Sequence, residues 1–387
     1  MILLGMIERK EYLDQIRTAL GRSKVTALLG PRQCGKTTIA KEISRQYNSH
    51  FLDLESPSDR SRLQTPEIYL KSLGGLIIID EIQFMPELFP IIRVLSDQHK
   101  GTGRFLILGS ASPDLVKNTS ESLAGRVEFV DLHGFNLNET GKATLQKLWL
   151  RGGFPLSYLS ATNADSLAWR EGFIRTFLQR DIPQLGIGIP HTVLRRFWTM
   201  LAHSHGQILN SSQLAKSMGM SDKTIRSYVD ILSATYMVHQ LQPWFSNIRK
   251  RQVKSPKIYV TDSGILHSLL GINTMDTLFG HPQLGASWEG FVIEQISRNT
   301  PEVESYFWST YSGAEIDLLL MMNGKRIGIE CKFTETPKPT KSMYIALKDL
   351  ELSKLYIIYP GEEHYPVNEF IEAIPLPDFM EMLKSRL

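Results

Sequence analysis

Short runs rich in apolar residues divide the first third of the chain, and each is closed by a glycine or an acidic residue. These runs are Val25–Leu29, His50–Leu54, Leu76–Glu81 and Arg104–Leu108. Such runs are typical of buried strands in a parallel sheet. Glu8–Leu20 precedes them with helical periodicity, and Gly21 is its predicted C-cap. The pattern therefore predicts an α/β domain at the N-terminus.

A second group of predicted strands lies near the C-terminus, where apolar and polar residues alternate. These strands are Ser305–Ser309, Glu315–Leu320, Arg326–Lys332 and Tyr356–Tyr359. Asn323–Gly324 is a predicted hairpin turn, and Gly285–Ile296 is predicted to be an amphipathic helix that carries Glu289. Gln146–Arg180, between the two groups, is predicted to be rich in helix. Its expected core anchors are Trp149, Phe154, Trp169, Phe173 and Phe177.

The first apolar run leads into a full P-loop, Gly30-x-x-x-x-Gly35-Lys36-Thr37, and a helix is predicted to begin near Lys36. Glycines let the backbone bend so that successive N–H groups point at one phosphate chain, and the helix N-terminus adds its positive end. Lys36 can then reach the β- and γ-phosphates, and the Thr37 hydroxyl can hold Mg²⁺. A Gly-rich turn is the alternative, but the strand and helix on either side favour nucleotide binding. The predicted nucleotide-binding residues are Gly30, Pro31, Arg32, Gln33, Cys34, Gly35, Lys36, Thr37 and Thr38.

Polar residues follow two further predicted strands, where open α/β sheets place ligand chemistry. Asp80 is predicted to hold Mg²⁺, and Glu81 to polarise the attacking water. Ser110 is placed to sense the γ-phosphate. Arg126 is a candidate arginine finger or sensor, with a surface ion pair as the alternative. Asp80 and Glu81 could equally be a solvated acidic turn if the P-loop were absent.

Composition narrows the class of protein. The 387 residues are 42% hydrophobic and 21% charged, which is typical of a globular protein. The formal charge of +3 does not by itself indicate a nucleic-acid partner. Cys34 and Cys331 lack metal-ligand spacing, and no apolar run approaches the ~20 residues of a membrane span. We therefore expect a cytoplasmic protein with no membrane partner. Redox control through Cys34 is a weaker hypothesis than its tight packing in the loop.

The segments GPRQCGKTT, IIIDEIQ and LILGSAS resemble prokaryotic ATPases of the AAA+ superfamily that carry a C-terminal domain of unknown function. RGGFP, FLQRDIPQLG and KSPKIYVTDSG resemble the same family, so the likeness covers nearly the whole chain. The resemblance implies an ATP-binding core with additional strands. It gives Lys36, Thr37, Asp80, Glu81 and Ser110 their usual roles there. Within FLQRDIPQLG, Arg180 and Asp181 are interpreted as a salt bridge, the alternative being an approach to a neighbouring nucleotide site.

A helix-turn-helix is predicted from Ser211 to Leu232, with a turn at Gly219 and an N-cap at Ser221. The side chains expected to be exposed on its second helix are Lys223, Thr224, Arg226 and Ser227. Predicted strands at Met237–Leu241 and Lys257–Val260 flank a basic segment, which together describe a winged helix. The basic residues of that segment are Arg249, Lys250, Arg251, Lys254 and Lys257. They are a candidate contact to the DNA backbone; a lid or an assembly surface is the alternative.

The C-terminal hairpin is similar to the core of PD-(D/E)xK nucleases. Glu330 and Lys332 are two positions apart and so share a face of their strand, and Asp317 lies on the preceding strand. With Glu289 from the helix, Asp317 and Glu330 are predicted metal ligands, and Lys332 is predicted to orient water. No proline precedes Asp317, which departs from the pattern. A charged hairpin edge or an inactive nuclease fold is the alternative.

The sequence thus predicts an α/β multidomain chain in four parts. Residues 1–145 are an AAA+-type P-loop ATPase domain with its parallel sheet between helices, and 146–188 a helical linker. Residues 189–275 are a winged-helix domain, and 276–387 a restriction-endonuclease-like α/β domain. The expected cofactors are ATP and Mg²⁺, and the candidate partners are DNA and further copies of the chain. The leading hypothesis is an ATPase whose nucleotide cycle controls a DNA- or partner-directed module. The alternatives are a nuclease with a regulatory ATPase and a nucleotide-binding scaffold without turnover.

Overall fold

The computed structural model describes residues 7–110, 119–244 and 254–386. They form two compact units. The first comprises the chain up to Phe135 together with Ala234–Tyr236, and the second comprises Asn136–Ser233 and Met237–Leu387. The four predicted domain boundaries stay a prediction.

The first unit is built on a five-stranded parallel sheet in the order β2-β3-β4-β1-β5. Its strands are β1 (Val25–Gly30), β2 (Ser49–Asp53), β3 (Leu76–Asp80), β4 (Phe105–Ser110) and β5 (Val127–Asp131). Its helices are Lys10–Arg22, Lys36–Ser44, Pro57–Arg62, Pro66–Ser72 and Leu88–Gln98, with a 3-10 turn at Ile82–Phe84. The apolar runs of β1, β3 and β4 are almost fully buried, which confirms the predicted strands. All carboxyl ends of a parallel sheet lie at one edge, and this edge collects the P-loop, Asp80, Glu81 and Ser110.

The first helix shows one error of prediction. It continues through Gly21 to Arg22, and Ser23 is its C-cap, with extended backbone at φ −118°. The N–H of Ser23 still donates to the carbonyl of Ala19, so the helix ends without a left-handed glycine.

The second unit opens with short helices that surround an aromatic core. These helices are Leu137–Thr140, Leu145–Arg151, Pro155–Tyr158, Asn163–Thr176, Ile182–Gln184 and His191–His203, with a 3-10 turn at Lys142–Thr144 and a π-helix at Phe177–Asp181. Trp149, Phe154, Phe173 and Phe177 are buried as predicted, and the half-buried Trp169 packs against Phe154 and Phe173. The prediction of a helix-rich segment is confirmed.

The helix-turn-helix is confirmed. Helices Ser211–Met218 and Asp222–Ala234 flank Gly219, whose φ of 69° is the left-handed conformation that the turn requires. The Ser221 hydroxyl accepts the N–H of Thr224 at 3.1 Å, as expected of an N-cap. Beside these helices lies a three-stranded antiparallel sheet, in the order β6-β8-β7. Its strands are β6 (Gln207–Ile208), β7 (Val238–Leu241) and β8 (Lys257–Val260).

The predicted basic segment divides into three parts. Arg249, Lys250 and Arg251 lie outside the described residues. Lys254 is exposed. Lys257, by contrast, begins β8 and is only 2% exposed, so its assignment to a DNA-contacting surface is wrong. A count of basic residues could not distinguish it from its neighbours, because its position is decided by acidic residues elsewhere in the chain.

The rest of the second unit is built on a six-stranded mixed sheet in the order β13-β14-β12-β11-β10-β9. Its strands are β9 (Glu304–Ser309), β10 (Glu315–Met322), β11 (Lys325–Cys331), β12 (Lys354–Tyr359), β13 (Tyr365–Pro366) and β14 (Ile371–Pro375). Its helices are Ser263–Leu270, Met275–Phe279, Leu284–Asn299, Lys341–Asp349 and Leu376–Arg386. Positive φ angles at Asn323 and Gly324 confirm the hairpin between β10 and β11. Among the described residues, no helix is long and apolar enough to cross a membrane.

Candidate functional site

The P-loop begins where β1 ends, and its backbone turns sharply. Gly30 has a φ of 156°, and a Cβ there would lie 2.1 Å from the carbonyl oxygen of Leu132, so only glycine fits. Gln33 and Gly35 also have positive φ angles, 62° and 104°. No heavy atom lies within 4 Å of a Cβ built on Gly35, which leaves that side of the loop open. Turns of this kind direct backbone N–H groups into a concavity that suits an anion.

Lys36 is the first residue of the helix that follows the loop, and it is only 5% exposed. Its ammonium donates to the carbonyls of Gly30 at 3.0 Å and Pro31 at 2.8 Å. These are neutral acceptors, so the positive charge has no carboxylate of its own in these contacts. The ammonium therefore lies inside the loop where an anionic ligand can recruit it.

Asp80 ends β3 beside this loop. The hydroxyl of Thr37 donates to Asp80 Oδ2 at 2.6 Å, and the N–H of Glu81 donates to Asp80 Oδ1 at 3.0 Å. Burial raises the pKa of Asp80 above its usual range, and the Thr37 hydrogen bond opposes that rise. Asp53 is the register partner of Asp80 on β2, and its charge raises the same pKa further. The structure thus brings together the two predicted magnesium ligands of the P-loop site, Thr37 and Asp80.

Glu81 adopts a left-handed backbone conformation, with a φ of 56°. This region is strained for a residue with a side chain, and such residues are frequent at functional sites. The predicted strand extended to Glu81. The left-handed backbone at Glu81 explains why β3 ends one residue earlier, at Asp80. The side-chain amide of Gln83 donates to Glu81 Oε2 and so orients the carboxylate.

Ser110 and Arg126 occupy opposite ends of the sheet. Ser110 pairs in register with Gly30, and its hydroxyl is buried without a hydrogen-bond partner among the described residues. The carbonyl of Arg126 accepts the N–H of Val25, at the other end of β1. Five residues of strand, or about 16 Å, separate the two ends. The structure therefore places Ser110 at the P-loop but does not bring Arg126 to the site of its own chain. Ala111 and Ser112 of the same segment lie outside the described residues.

Arg126 makes a two-pronged ion pair with Asp97, at 2.6 Å and 2.9 Å. Arg180 contacts Asp181 at 3.4 Å, within the π-helix. Both geometries agree with the ion-pair alternatives that the sequence left open. An arginine finger acting between copies of the chain stays a prediction.

Arg9 is a residue that the sequence did not single out. It is 8% exposed, and its guanidinium donates to the carbonyl of Cys34 at 3.1 Å and of His133 at 2.9 Å. It therefore ties the P-loop to the segment that follows β5. No sequence motif predicts this role, because the acceptors are backbone carbonyls 25 and 124 positions away. Cys34 itself is fully buried, which agrees with tight packing in the loop.

The residues at this edge fit a magnesium nucleotide. The open concavity at Gly35 suits phosphate, and hydroxyl and carboxylate oxygens such as those of Thr37 and Asp80 are the ligands that Mg²⁺ prefers. The buried Ser110 hydroxyl adds a polar atom that still lacks a partner.

The second predicted site is assembled, but differently from the prediction. Asp317 Oδ2 accepts the N–H of Cys331 at 2.8 Å, and Lys332 contacts Glu330 at 2.7 Å, so the two strands do meet as expected. Two causes raise the pKa of both glutamates: burial first, and the negative charge of Asp317 second. The pKa of Glu330 rises to about 8 and that of Glu289 to about 7. The unexpected member is Lys257, whose ammonium contacts Glu289, Glu315 and Asp317. Among the described residues, no group of three or more His, Cys, Asp or Glu side chains is arranged to hold a metal ion.

Two of the family-like segments have a structural role in the second unit. Gly152, in RGGFP, has a φ of 75°, and a Cβ there would lie 2.0 Å from Asp262 Oδ1. Asp262 Oδ2 accepts the N–H of Gly153 at 2.7 Å, while Oδ1 caps the next helix through the N–H of Ile265. The glycines thus allow Asp262, in KSPKIYVTDSG, to join two distant parts of the chain.

Comparison with known proteins identifies three family matches. Residues 22–177 match an AAA domain, 142–276 a domain of unknown function (DUF8612), and 284–379 a second domain of unknown function (DUF4143). An uncharacterized protein of Mycobacterium tuberculosis is 48% identical over 370 residues, which cover 96% of this chain and 84% of that protein. A second uncharacterized protein, from Mycobacterium bovis, gives the same values. The chain belongs to the family of these proteins. It is a member with an AAA domain of the P-loop ATPase type.

Solved structures give weaker likenesses. A Walker-type ATPase of Pyrococcus abyssi aligns with a TM-score of 0.48 and 12% identity, covering 68% of this chain and 96% of that one. AMPPCP-bound DnaA from Aquifex aeolicus aligns with a TM-score of 0.24 and 13% identity, covering 60% and 89%.

Proposed function

We propose that this AAA-domain protein is a Mg²⁺-dependent ATPase whose nucleotide cycle controls a DNA- or partner-directed part of the chain. The observation that carries the proposal is the 2.6 Å hydrogen bond from Thr37 to Asp80. It joins the helix after the P-loop to the end of β3, so a hydroxyl and a carboxylate meet where a phosphate-bound magnesium would need them.

Each residue has a role that follows from its place. The Lys36 ammonium leaves neutral carbonyls for phosphate oxygens and stabilises the negative charge that develops on them. Thr37 and Asp80 would hold Mg²⁺, which would neutralise phosphate charge when bound. Glu81, oriented by Gln83, positions the attacking water, and Ser110 contacts the γ-phosphate. Gly30 to Thr38 bind the nucleotide.

A Glu81→Gln variant tests the assignment. The amide cannot polarise water, so we expect hydrolysis to fall by about 10²–10⁴-fold while ATP binding is retained. Steady-state phosphate release and binding of a fluorescent ATP analogue measure the two properties separately. Glu87→Gln is the matched control, because Glu87 is an exposed carboxylate six positions further along. Hydrolysis by Glu81→Gln at the wild-type rate would remove Glu81 from the mechanism.

DNA contact by the helix-turn-helix is a second proposal, favoured by two exposed basic side chains near the start of helix Asp222–Ala234, which also carries the exposed Asp222 and Asp230. Lys223, Arg226 and Ser227 are exposed there, and Thr224 is half-buried. Charge reversal at Lys223 and Arg226 should weaken binding to duplex DNA. It should also reduce the slope of log binding constant against log salt concentration by about 0.9 for each phosphate contact that is lost. Lys100→Glu, an exposed lysine of the first unit, is the control. Absence of binding by the wild type at low salt would exclude this role.

The remaining hypotheses are separated by two assays. A metal-dependent nuclease requires DNA cleavage that is lost in Lys332→Ala; cleavage that survives this change would come from another site. A nucleotide-binding scaffold requires ATP binding with neither hydrolysis nor cleavage by the wild type. An arginine finger that acts between copies of the chain would need self-association. Analytical ultracentrifugation of the Glu81→Gln protein in the presence of ATP measures this association.

A further inference from the structure

The acidic cluster of the second unit consists of Glu289, Glu315 and Asp317, and Lys257 lies among them. The Lys257 ammonium is 2.9 Å from Glu289 Oε1 and 3.4 Å from Asp317 Oδ1, and it also contacts Glu315 Oε1. These carboxylates come from a helix and from β10, whereas Lys257 begins β8 of a different sheet. The four side chains therefore converge from three separate elements.

The oxygens closest to Lys257 already accept hydrogen bonds, whereas Glu330 Oε2 is buried without a hydrogen-bond partner among the described residues. Glu289 Oε1 accepts both the Lys257 ammonium and the Tyr259 hydroxyl, the latter at 2.6 Å. Asp317 Oδ1 accepts Lys257, and Asp317 Oδ2 accepts the backbone N–H of Cys331. A divalent ion binds carboxylate oxygens at about 2.0–2.6 Å. It would have to enter the space that the ammonium fills and would meet the repulsion of that like charge.

Burial makes the ammonium a fixed part of the cluster. The Lys257 side chain is 3% exposed, so it cannot turn outward to water without leaving its three partners. Burial alone would favour the neutral amine, but the carboxylates, Glu289 foremost, outweigh it and keep the pKa well above the ordinary value. A buried cation with several charged partners is held far more firmly than a surface ion pair.

We propose that Lys257 takes the place of a divalent metal, so that the carboxylate cluster is an internal cation site whose resident cation is a lysine of the same chain. Glu289 and Asp317, two of the three predicted nuclease ligands, thus do not fit a metal alongside Lys257. The cluster joins β8 to the helix Leu284–Asn299 and to β10. Its role is therefore structural, and it does not carry out metal-dependent chemistry. Removing the ammonium, while keeping the carboxylates, should convert the cluster into a divalent metal site.

Mn²⁺ binding to the full chain tests this proposal, measured without nucleotide by equilibrium dialysis and by the electron paramagnetic resonance of bound Mn²⁺. The wild type and Asp317→Asn should bind Mn²⁺ alike, because Asp317 has no metal to hold. Lys257→Met should gain one Mn²⁺ per chain, and adding Asp317→Asn should remove it. Lys354→Met is the matched control, because Lys354 contacts a single carboxylate, Glu372, at 2.7 Å and should gain no Mn²⁺.

Two results would overturn the proposal. The first is Mn²⁺ binding by the wild type that is lost in Asp317→Asn, which would show that a metal holds the cluster. The second is a folded Lys257→Met protein that gains no Mn²⁺. If Lys257→Met folds only when Mn²⁺ is added, the metal replaces the ammonium and the proposal is supported. If it does not fold at all, the comparison of wild type with Asp317→Asn decides alone.

Discussion

Two buried lysines, Lys36 and Lys257, lie beside carboxylates in the two units, and their hydrogen bonds differ in one respect. Lys36 donates to two backbone carbonyls of its own loop, at 3.0 Å and 2.8 Å, and Asp80 is engaged by a hydroxyl instead. Lys257 donates directly to carboxylates. The first ammonium keeps its charge for a ligand, while the second has its charge neutralised within the fold. A lysine near carboxylates thus belongs to a ligand site at Lys36 and to an internal ion-pair cluster at Lys257.

The largest effect is expected at the ligand site. Lys36→Met should lower ATP hydrolysis by about 10²–10³-fold or more, because it removes a positive charge aimed at the phosphates. The free energy of unfolding should change little, since the carbonyls of Gly30 and Pro31 lose only one donor. Phosphate release and urea denaturation of the same preparation measure both. A large loss of stability without loss of hydrolysis would reverse the comparison.

The same substitution at the other lysine should have the opposite outcome. Lys257→Met should lower the free energy of unfolding by about 3–5 kcal/mol, because it leaves buried carboxylates without their cation. Urea denaturation checks this value, with Lys354→Met as the control at a half-exposed ion pair. ATP hydrolysis at a temperature where the variant is folded should be retained. A loss of less than about 1 kcal/mol would mean that Lys257 is not the counter-ion of the cluster.

Buried histidines of the second unit sharpen the comparison, because they lack carboxylate partners in their closest contacts. His267 Nδ1 donates to the carbonyl of Leu150 at 3.1 Å, so Nε2 accepts the Ser287 hydroxyl at 2.8 Å. Burial, with a smaller contribution from nearby Arg170, lowers the pKa of His267 from 6.5 to about 3. Burial also lowers the pKa of His205 to about 4. Both therefore stay neutral in the fold.

The sign of the pH dependence follows from these shifts. Below about pH 6.5 the unfolded chain binds protons that the folded chain does not, so stability falls as the pH is lowered. Each histidine contributes up to about 1.4 kcal/mol per pH unit. Between pH 6.5 and 5, His267→Gln should therefore lose about 1.5 kcal/mol less than the wild type in urea denaturation. Equal losses in the two proteins would show that His267 titrates normally.

The smallest effect is expected at Arg126. Arg126→Gln should change ATP hydrolysis at low protein concentration by less than about 3-fold, because its guanidinium pairs with Asp97 at the end of the sheet opposite the P-loop. If the loss reaches the 10³-fold scale of an arginine finger, Arg126 acts on a second copy of the chain. The dependence of the rate on protein concentration distinguishes these cases.

The sequence predicted what is local. The P-loop, the strand that ends in Asp80, the helix-turn-helix and the Asn323–Gly324 hairpin are each encoded by residues within one segment. The four basic residues near Lys257 predict a surface cation, yet two of its carboxylate partners lie 32 and 60 positions further along the chain. Arg9 was missed for the same reason. No spacing rule connects such residues, because the contact is created by the packing of whole elements.

The bond between Asp262 and Gly153 also has a consequence for synthesis on the ribosome. The last strand of the parallel sheet ends at Asp131, so that sheet is available early in translation. Asp262 lies 109 positions after its partner. At about 5–20 residues per second, Asp262 is synthesised about 5–20 seconds after Gly153. The hydrogen bond between Gly153 and Asp262 therefore forms only after both segments have been synthesised.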